Sequence, residues 1–245
     1  LEGGALTLDE VLSLIQEGQD LVVVLVFNIS AGADMLMAHP DIQTLSDLRG
    51  KTIALETTAV GALMLKNAMD FAGLPDGSLR IRHMNLSDQL RAYQSGKIDA
   101  MITYEPFSSE LARAGARILF DSSAIKGQIV DVLAVRRTVL EKQPQHVREL
   151  IDGYMQARQL MQSSPQAAFA IMNQRLRLPD EQVGAMFDGL ELPDTEENRR
   201  LLNGKRSPLS RTAEGLAQLM VKQKLMPAPP PLKQLTDPRF LPESS

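Results

Sequence analysis

The chain contains no cysteine and no tryptophan, and aromatic residues make up only 4% of its 245 positions. Without cysteine there are no disulfides, no thiolate metal ligands and no sulfur nucleophile. With so few rings, a ligand cage of stacked aromatics is not expected, although single Tyr or Phe contacts are. Long apolar runs are missing too. The longest, 21–27 (Leu-Val-Val-Val-Leu-Val-Phe), falls far short of the roughly 20 residues a membrane-spanning helix needs. No basic run occurs and the formal net charge is −4, which argues against a nucleic-acid partner. Leu1-Glu2-Gly3-Gly4 has neither the basic start nor the apolar middle of a secretory signal, and no initiator Met is present. A mature, trimmed or fragmentary chain is therefore expected.

What is present is ordinary for a folded protein: 44% hydrophobic and 23% charged residues, enough chain for one large or two modest domains. Thr7 followed by Glu10 fits a capping box ahead of an apolar helix face at Val11, Leu12, Leu14 and Ile15, and Gly18 ends that helix. The continuous run 21–27 predicts a strand buried on both faces, as in parallel sheets. Residues 28–34 read as a polar break. Strands are expected at 35–38, 51–55, 79–84 (alternating), 100–103, 117–120 and 130–135. Helices are expected at 58–73, 86–95 and 107–114. From 139 onward the pattern is helical, near 144–162, 165–176, 179–188, 194–203 and 208–224, with Pro144, Pro165 and Pro179 at first-turn positions. The stretch 227–231 (Pro-Ala-Pro-Pro-Pro) is a stiff extended segment expected to lie across the surface. Alternating strands and helices give an α/β fold.

Two strand-and-loop units stand out: 45–56 followed by Thr57-Thr58-Ala59-Val60-Gly61, and 95–107 ending in Tyr104-Glu105-Pro106-Phe107. In each, a short apolar strand ends in polar residues at its carboxyl end, where open α/β sheets bind ligands. Taken with the buried strand running into Asn28–Asp34, and with Phe120-Asp-Ser-Ser123 and Gly127-Gln-Ile-Val-Asp131, this ordered set resembles the solute-binding proteins of bacterial ABC importers. The branch it is most similar to binds nitrate, sulfonates, taurine or thiamine-precursor pyrimidines.

The resemblance implies the two-lobed, type 2 periplasmic-binding-protein-like α/β fold, each lobe a mostly parallel sheet with flanking helices. Lobe one would combine 1–40 with 128–245, and lobe two would be the inserted 41–127, with closure about a hinge near His39-Pro40 and Lys126-Gly127. It also implies a small-molecule ligand, an ABC permease as membrane partner, a monomer, and a periplasmic or membrane-anchored extracytoplasmic location. Members of that family begin with further strands and helices before the segment matching 5–10. The resemblance therefore implies a missing amino-terminal portion, one wall of the pocket and open sheet edges.

Candidate ligand contacts carry two readings each. Thr57 and Thr58 sit at a strand-to-helix turn whose N–H groups can hold an anion, and either can simply cap the helix. Glu56 is a hydrogen-bond acceptor for a ligand amine or a solvated strand-end carboxylate. Ser30 can donate to a ligand oxygen or belong to an ordinary turn with Gly32, and Asp34 can contact ligand or a backbone amide. Tyr104 and Glu105 follow directly on an apolar strand; they are ligand contacts, or a packed ring and a first-turn acid favoured by the helix dipole. Thr7 and Asp131 are weaker candidates, a cap and a structural acid. His39, His83 and His146 share no metal-ligand spacing, and Met64, Met69, Met84 and Met101 read as core residues.

No Gly-x-Ser-x-Gly, phosphate loop or dinucleotide fingerprint is present, so neither a catalytic residue nor a cofactor is expected. Acids outnumber bases among the candidates. This favours a small ligand carrying an amine or nitrogen heterocycle, zwitterions included, over a sulfonate- or nitrate-like anion held by backbone and hydroxyl groups. The alternatives are an enzyme of the same fold acting on a pyrimidine precursor or sulfur compound, or the ligand-sensing domain of a receptor.

Overall fold

The computed structural model describes residues 1–178 and 180–243. In chain order the elements are β1 (Gly3–Thr7), α1 (Leu8–Gln16), β2 (Leu21–Ser30), β3 (Met35–Ala38), β4 (Thr52–Leu55), α2 (Ala59–Phe71), β5 (Arg80–His83), α3 (Leu86–Gln94), β6 (Ala100–Thr103), α4 (Phe107–Arg113), β7 (Arg117–Asp121) and β8 (Val130–Arg136). There follow α5 (Arg137–Lys142), α6 (Pro144–Ser163), α7 (Pro165–Leu176), α8 (Asp180–Ala185), β9 (Leu190–Glu191), α9 (Thr195–Leu202) and α10 (Pro208–Lys222). Pro144 and Pro165 open their helices as expected. Pro179 lies outside the described residues, and α8 ends before 188. Strand β9 was not anticipated, and α5 begins two residues ahead of the helical stretch expected from 139. No regular element forms over 227–231.

The chain divides into two compact units. The first comprises 1–29, 127–183 and 191–245, and the second 30–126 and 184–190. Strand β3 lies in the second sheet, although the expected boundary at residue 40 assigned it to the first lobe.

The sheet β1-β8-β2-β9 belongs mainly to the first unit, with Ser30 of β2 and Leu190 of β9 falling in the second. Both β1 and β2 pair with β8 in antiparallel fashion, which corrects the expectation of a mostly parallel sheet there. The reason is physical: the Val/Leu run of β2 is buried from Leu21 through Val26, but continuous apolarity reports burial and says nothing about strand direction. A register shift between Val26 and Asn28 takes Phe27 out of the ladder with β8. The Phe27 carbonyl instead accepts a 2.6 Å hydrogen bond from Tyr154 Oη. Burial pushes the Tyr154 phenol up to about 12. Elsewhere along β2, the backbone of Val23 bonds with the tail: its N–H donates to the Leu235 carbonyl (2.7 Å) and its carbonyl accepts from Asp237 N–H (3.0 Å). The side chain of Asn198, fully buried, acts as a strand surrogate: its Oδ1 accepts from Val26 N–H (2.6 Å) and its Nδ2 donates to Val26 O (3.1 Å).

The second unit carries the sheet β5-β4-β6-β3-β7. Strand β4 runs parallel to β5 and β6, whereas β3 is antiparallel to β6 and β7. Met37, Ala54 and Met101 of the sheet pack with Tyr93 of α3 and Leu111 of α4 in one core cluster, with Met84 partly buried against it. All four residues of β5 are exposed, where alternation was expected. As an edge strand bearing Arg80, Arg82 and His83 it is protected from pairing with other chains by its charge. Among the described residues, no helix is long and apolar enough to cross a membrane.

Candidate functional site

Because β4 and β6 are parallel neighbours, their carboxyl ends finish side by side. Glu56 follows β4 and Tyr104 follows β6, and the Tyr104 hydroxyl donates to Glu56 Oε2 at 3.2 Å although the two are 48 residues apart. Tyr104 is exposed and Glu56 half-buried. Thr58 is the N-cap of α2, its Oγ1 accepting from Gly61 N–H at 3.1 Å. The cap leaves the Thr58 hydroxyl proton available as a donor. Gly61 favours close approach: a Cβ there would lie 3.1 Å from the Glu56 carbonyl oxygen and from a Leu55 methyl, so a larger residue would push these neighbours apart by a few tenths of an ångström. That contact sets the start of α2 directly on the end of β4. Thr57, exposed, sits between Glu56 and the cap. Glu105 has one oxygen occupied by Ser109 Oγ, which donates to it at 2.8 Å.

Glu56, Thr57, Thr58, Tyr104 and Glu105 thus gather at the strand ends of the second unit. The arrangement offers two carboxylates, a phenol, two hydroxyls and a helix N-terminus. No lysine or arginine lies within 56–58 or 104–106. A dipolar molecule could place its cationic end on Glu56 and an anionic end on the hydroxyls and the α2 terminus, the latter favoured by about 0.3–1 kcal/mol.

Ser30 and Asp34 are placed differently. Ser30 is 2% exposed and its Oγ lies 2.6 Å from Ser122 Oγ, itself fully buried. Ser122 Oγ also accepts from Gly32 N–H at 2.7 Å, and Asp34 N–H approaches Ser30 Oγ at 3.2 Å. The Asp34 carbonyl accepts from Ser122 N–H at 2.9 Å. This knot fixes the loop after β2. Gly189 closes it from outside: its carbonyl accepts from Ala31 N–H at 2.7 Å, and a Cβ at Gly189 (φ +76°) would sit 2.4 Å from Ala33 N.

Thr7 and Asp131 belong to the first unit, where Thr7, Asp131 and Asn28 lie level across β1, β8 and β2. Thr7 N–H donates to Glu10 Oε2 at 2.9 Å, the reciprocal bond of the expected capping box. Asn28 Nδ2 donates to Asp131 Oδ2 at 2.9 Å. Burial holds the Asp131 carboxyl above the usual carboxylate range, against the pull of that hydrogen bond and with help from the charges of Glu10 and Asp9. Asn28, Ser122 and Asn198 were not anticipated from sequence. Lone polar residues carry no periodic signal, and their partners lie about 90–170 positions away. Among the described residues no group of three or more His, Asp or Glu could hold a metal ion.

Comparisons with known proteins agree with this architecture. A relative from Escherichia coli K12, named as an aliphatic sulfonates-binding protein, is 24% identical over 174 residues, covering 70% of this chain and 54% of its own. The chain therefore spans about half the length of the curated relative it matches. Among solved structures, the periplasmic aliphatic sulphonate binding protein SsuA from Escherichia coli superposes with a TM-score of 0.78 at 20% identity, over 96% of this chain and 78% of that one. The desulfurization enzyme DszB gives a TM-score of 0.70 at 16% identity, over 98% and 84%. These likenesses show the periplasmic-binding-protein fold, which a binding protein and an enzyme both use. The model of the NMT1-like family matches residues 1–176, well over half of the sequence, and the chain belongs to that family.

Proposed function

We propose that this chain is the solute-binding part of an extracytoplasmic component of an ABC importer, not an enzyme. Its ligand is a small polar molecule carrying an amine or nitrogen heterocycle, zwitterionic aminosulfonates included. The observation that carries the reading is the pairing of Glu56 with Tyr104 at the ends of two parallel strands, beside the capped start of α2. Glu56 accepts from the ligand cation, Tyr104 turns its hydroxyl to the ligand, and Thr57 and Thr58 hold the anionic end. Two of the four segments that cross between the units, at 29–30 and 126–127, act as the hinge when ligand binds. A membrane permease receives the loaded form, and the relatives' periplasmic setting supports the same location here.

The likeness to DszB keeps an enzymatic reading in view. The groups gathered at the strand ends, two carboxylates, a phenol and two hydroxyls with no histidine within 56–58 or 104–106, suit ligand binding better than nucleophilic catalysis.

A thermal-shift screen tests the binding reading. The panel comprises alkanesulfonates, aminosulfonates, nitrate, aminopyrimidines and amino acids. One ligand class should stabilise the protein, by about 2.7 kcal/mol at a concentration a hundredfold above its dissociation constant. No stabilisation by any member, with the protein folded, would contradict it.

A further inference from the structure

A cavity of about 270 Å³ lies in the first unit where the turn between α1 and β2 meets the segment after the prolines. Its apolar lining is Ile15, Leu21 and Leu235, and its charged lining is Asp20, Arg137 and Lys233. It opens at the Leu21 end of β2, whereas Asn28 and Asp131 lie toward the other end. Seven residue steps separate Leu21 from Asn28, roughly 20 Å along an extended strand.

The walls are held in place before any ligand arrives. Arg137 N–H donates to the Asp20 carbonyl at 3.0 Å, and Val23 bonds to Leu235 and Asp237 on either side of Thr236. Pro231 forms part of the lining, at the end of the proline-rich stretch. Fixed φ angles there limit how far Lys233 can drift from the opening.

The charge at this end does not balance. Arg137 Nε donates to both Asp20 oxygens at 3.1 Å. Asp237 is matched by Arg239, through Nε at 2.9 Å and Nη2 at 2.6 Å. The one acid of the lining, Asp20, is therefore matched by Arg137, and Asp237 is held chiefly by Arg239. Lys233, exposed, makes no ion pair among the described residues, so one positive charge is left over at the cavity. The remaining nitrogens of Arg137 are not used by Asp20.

An apolar floor with a surplus cation at its edge suits one chemistry. We propose that this cavity is a second binding site, independent of the strand-end site, for a small monoanion with a short aliphatic body. The carboxylate or sulfonate head meets Lys233 and the outer nitrogens of Arg137, and the carbon chain lies on Ile15, Leu21 and Leu235. The volume is below the range of drug-sized pockets, which restricts the body to a few carbons.

The test is a methyl NMR titration of the full chain with butanoate and butane-1-sulfonate, using butylammonium as the counter-probe. Both anions should shift the Ile15, Leu21 and Leu235 methyls in a saturable way, and the cation should not. Lys233→Gln should weaken binding roughly two- to fivefold, the range for an exposed charge pair, and Lys233→Glu should abolish saturation. The exposed position of Lys233 keeps both variants folded. Absence of saturable shifts at these methyls, an equal response to butylammonium, or unchanged affinity in Lys233→Glu would each overturn the proposal.

Discussion

The hydroxyls of Ser30 and Ser122 lie 2.6 Å apart in the interior, joining positions 92 residues apart in the chain. Through Ser122 the same contact reaches Gly32 N–H, so one side chain organises the whole turn that leaves β2. Replacing Ser122 with alanine removes the acceptor and strands a partly buried N–H. Stability should fall by about 1–3 kcal/mol in urea unfolding. An unchanged midpoint would show that the turn is held by other means.

Asn198 should be more costly to lose. Its side chain joins Val26 on both backbone groups and also donates to the carbonyls of Pro193 and Asp194, at 3.2 Å each. Asn198→Leu keeps the size but leaves Val26 without partners there, so a loss of roughly 2–4 kcal/mol is expected. Hydrogen exchange should report faster opening of the Val26 amide. If its protection survives the substitution, the surrogate role is wrong.

Asp131 gives a pH signature. Its folded-state pKa is raised by burial, so the folded protein holds that proton more tightly than the unfolded chain. Stability from this group is therefore full below the ordinary value of 3.8 and is lost as pH rises through the folded pKa. Asn cannot ionise, and its amide oxygen still accepts from Asn28. Asp131→Asn should be more stable than the parent at neutral pH, with the difference vanishing in acid. Denaturant melts across pH check this; a variant less stable at neutral pH would contradict the assignment.

Much of this was legible in the residues. Helical spacing located α1, α2, α6 and α10, and the abrupt change from apolar to polar after β4 and β6 marked where Glu56 and Tyr104 would stand. Side-by-side placement of those two needs β4 and β6 to be parallel neighbours; alternating strands and helices favour the parallel direction, but β5 lies between the two in the chain, so their adjacency was not legible. Strand direction in the first unit was not legible, because the run in β2 encodes burial alone. Nor was the fate of Ser30. A serine after a strand looks the same whether it faces a ligand or a partner hydroxyl, and Ser122 lies in a separate segment with no pattern linking the two.

The central claim is that Glu56, set against Tyr104, recognises the cationic end of the ligand. Calorimetry with 2-aminoethanesulfonate and ethanesulfonate, which differ only by the amine, tests it most directly. The account predicts tighter binding of the amine-bearing compound by about tenfold, as expected for a charge-assisted hydrogen bond of roughly 1.5 kcal/mol, and loss of that preference in Glu56→Gln. Equal affinities for the two compounds, or a preference that survives Glu56→Gln, would contradict it.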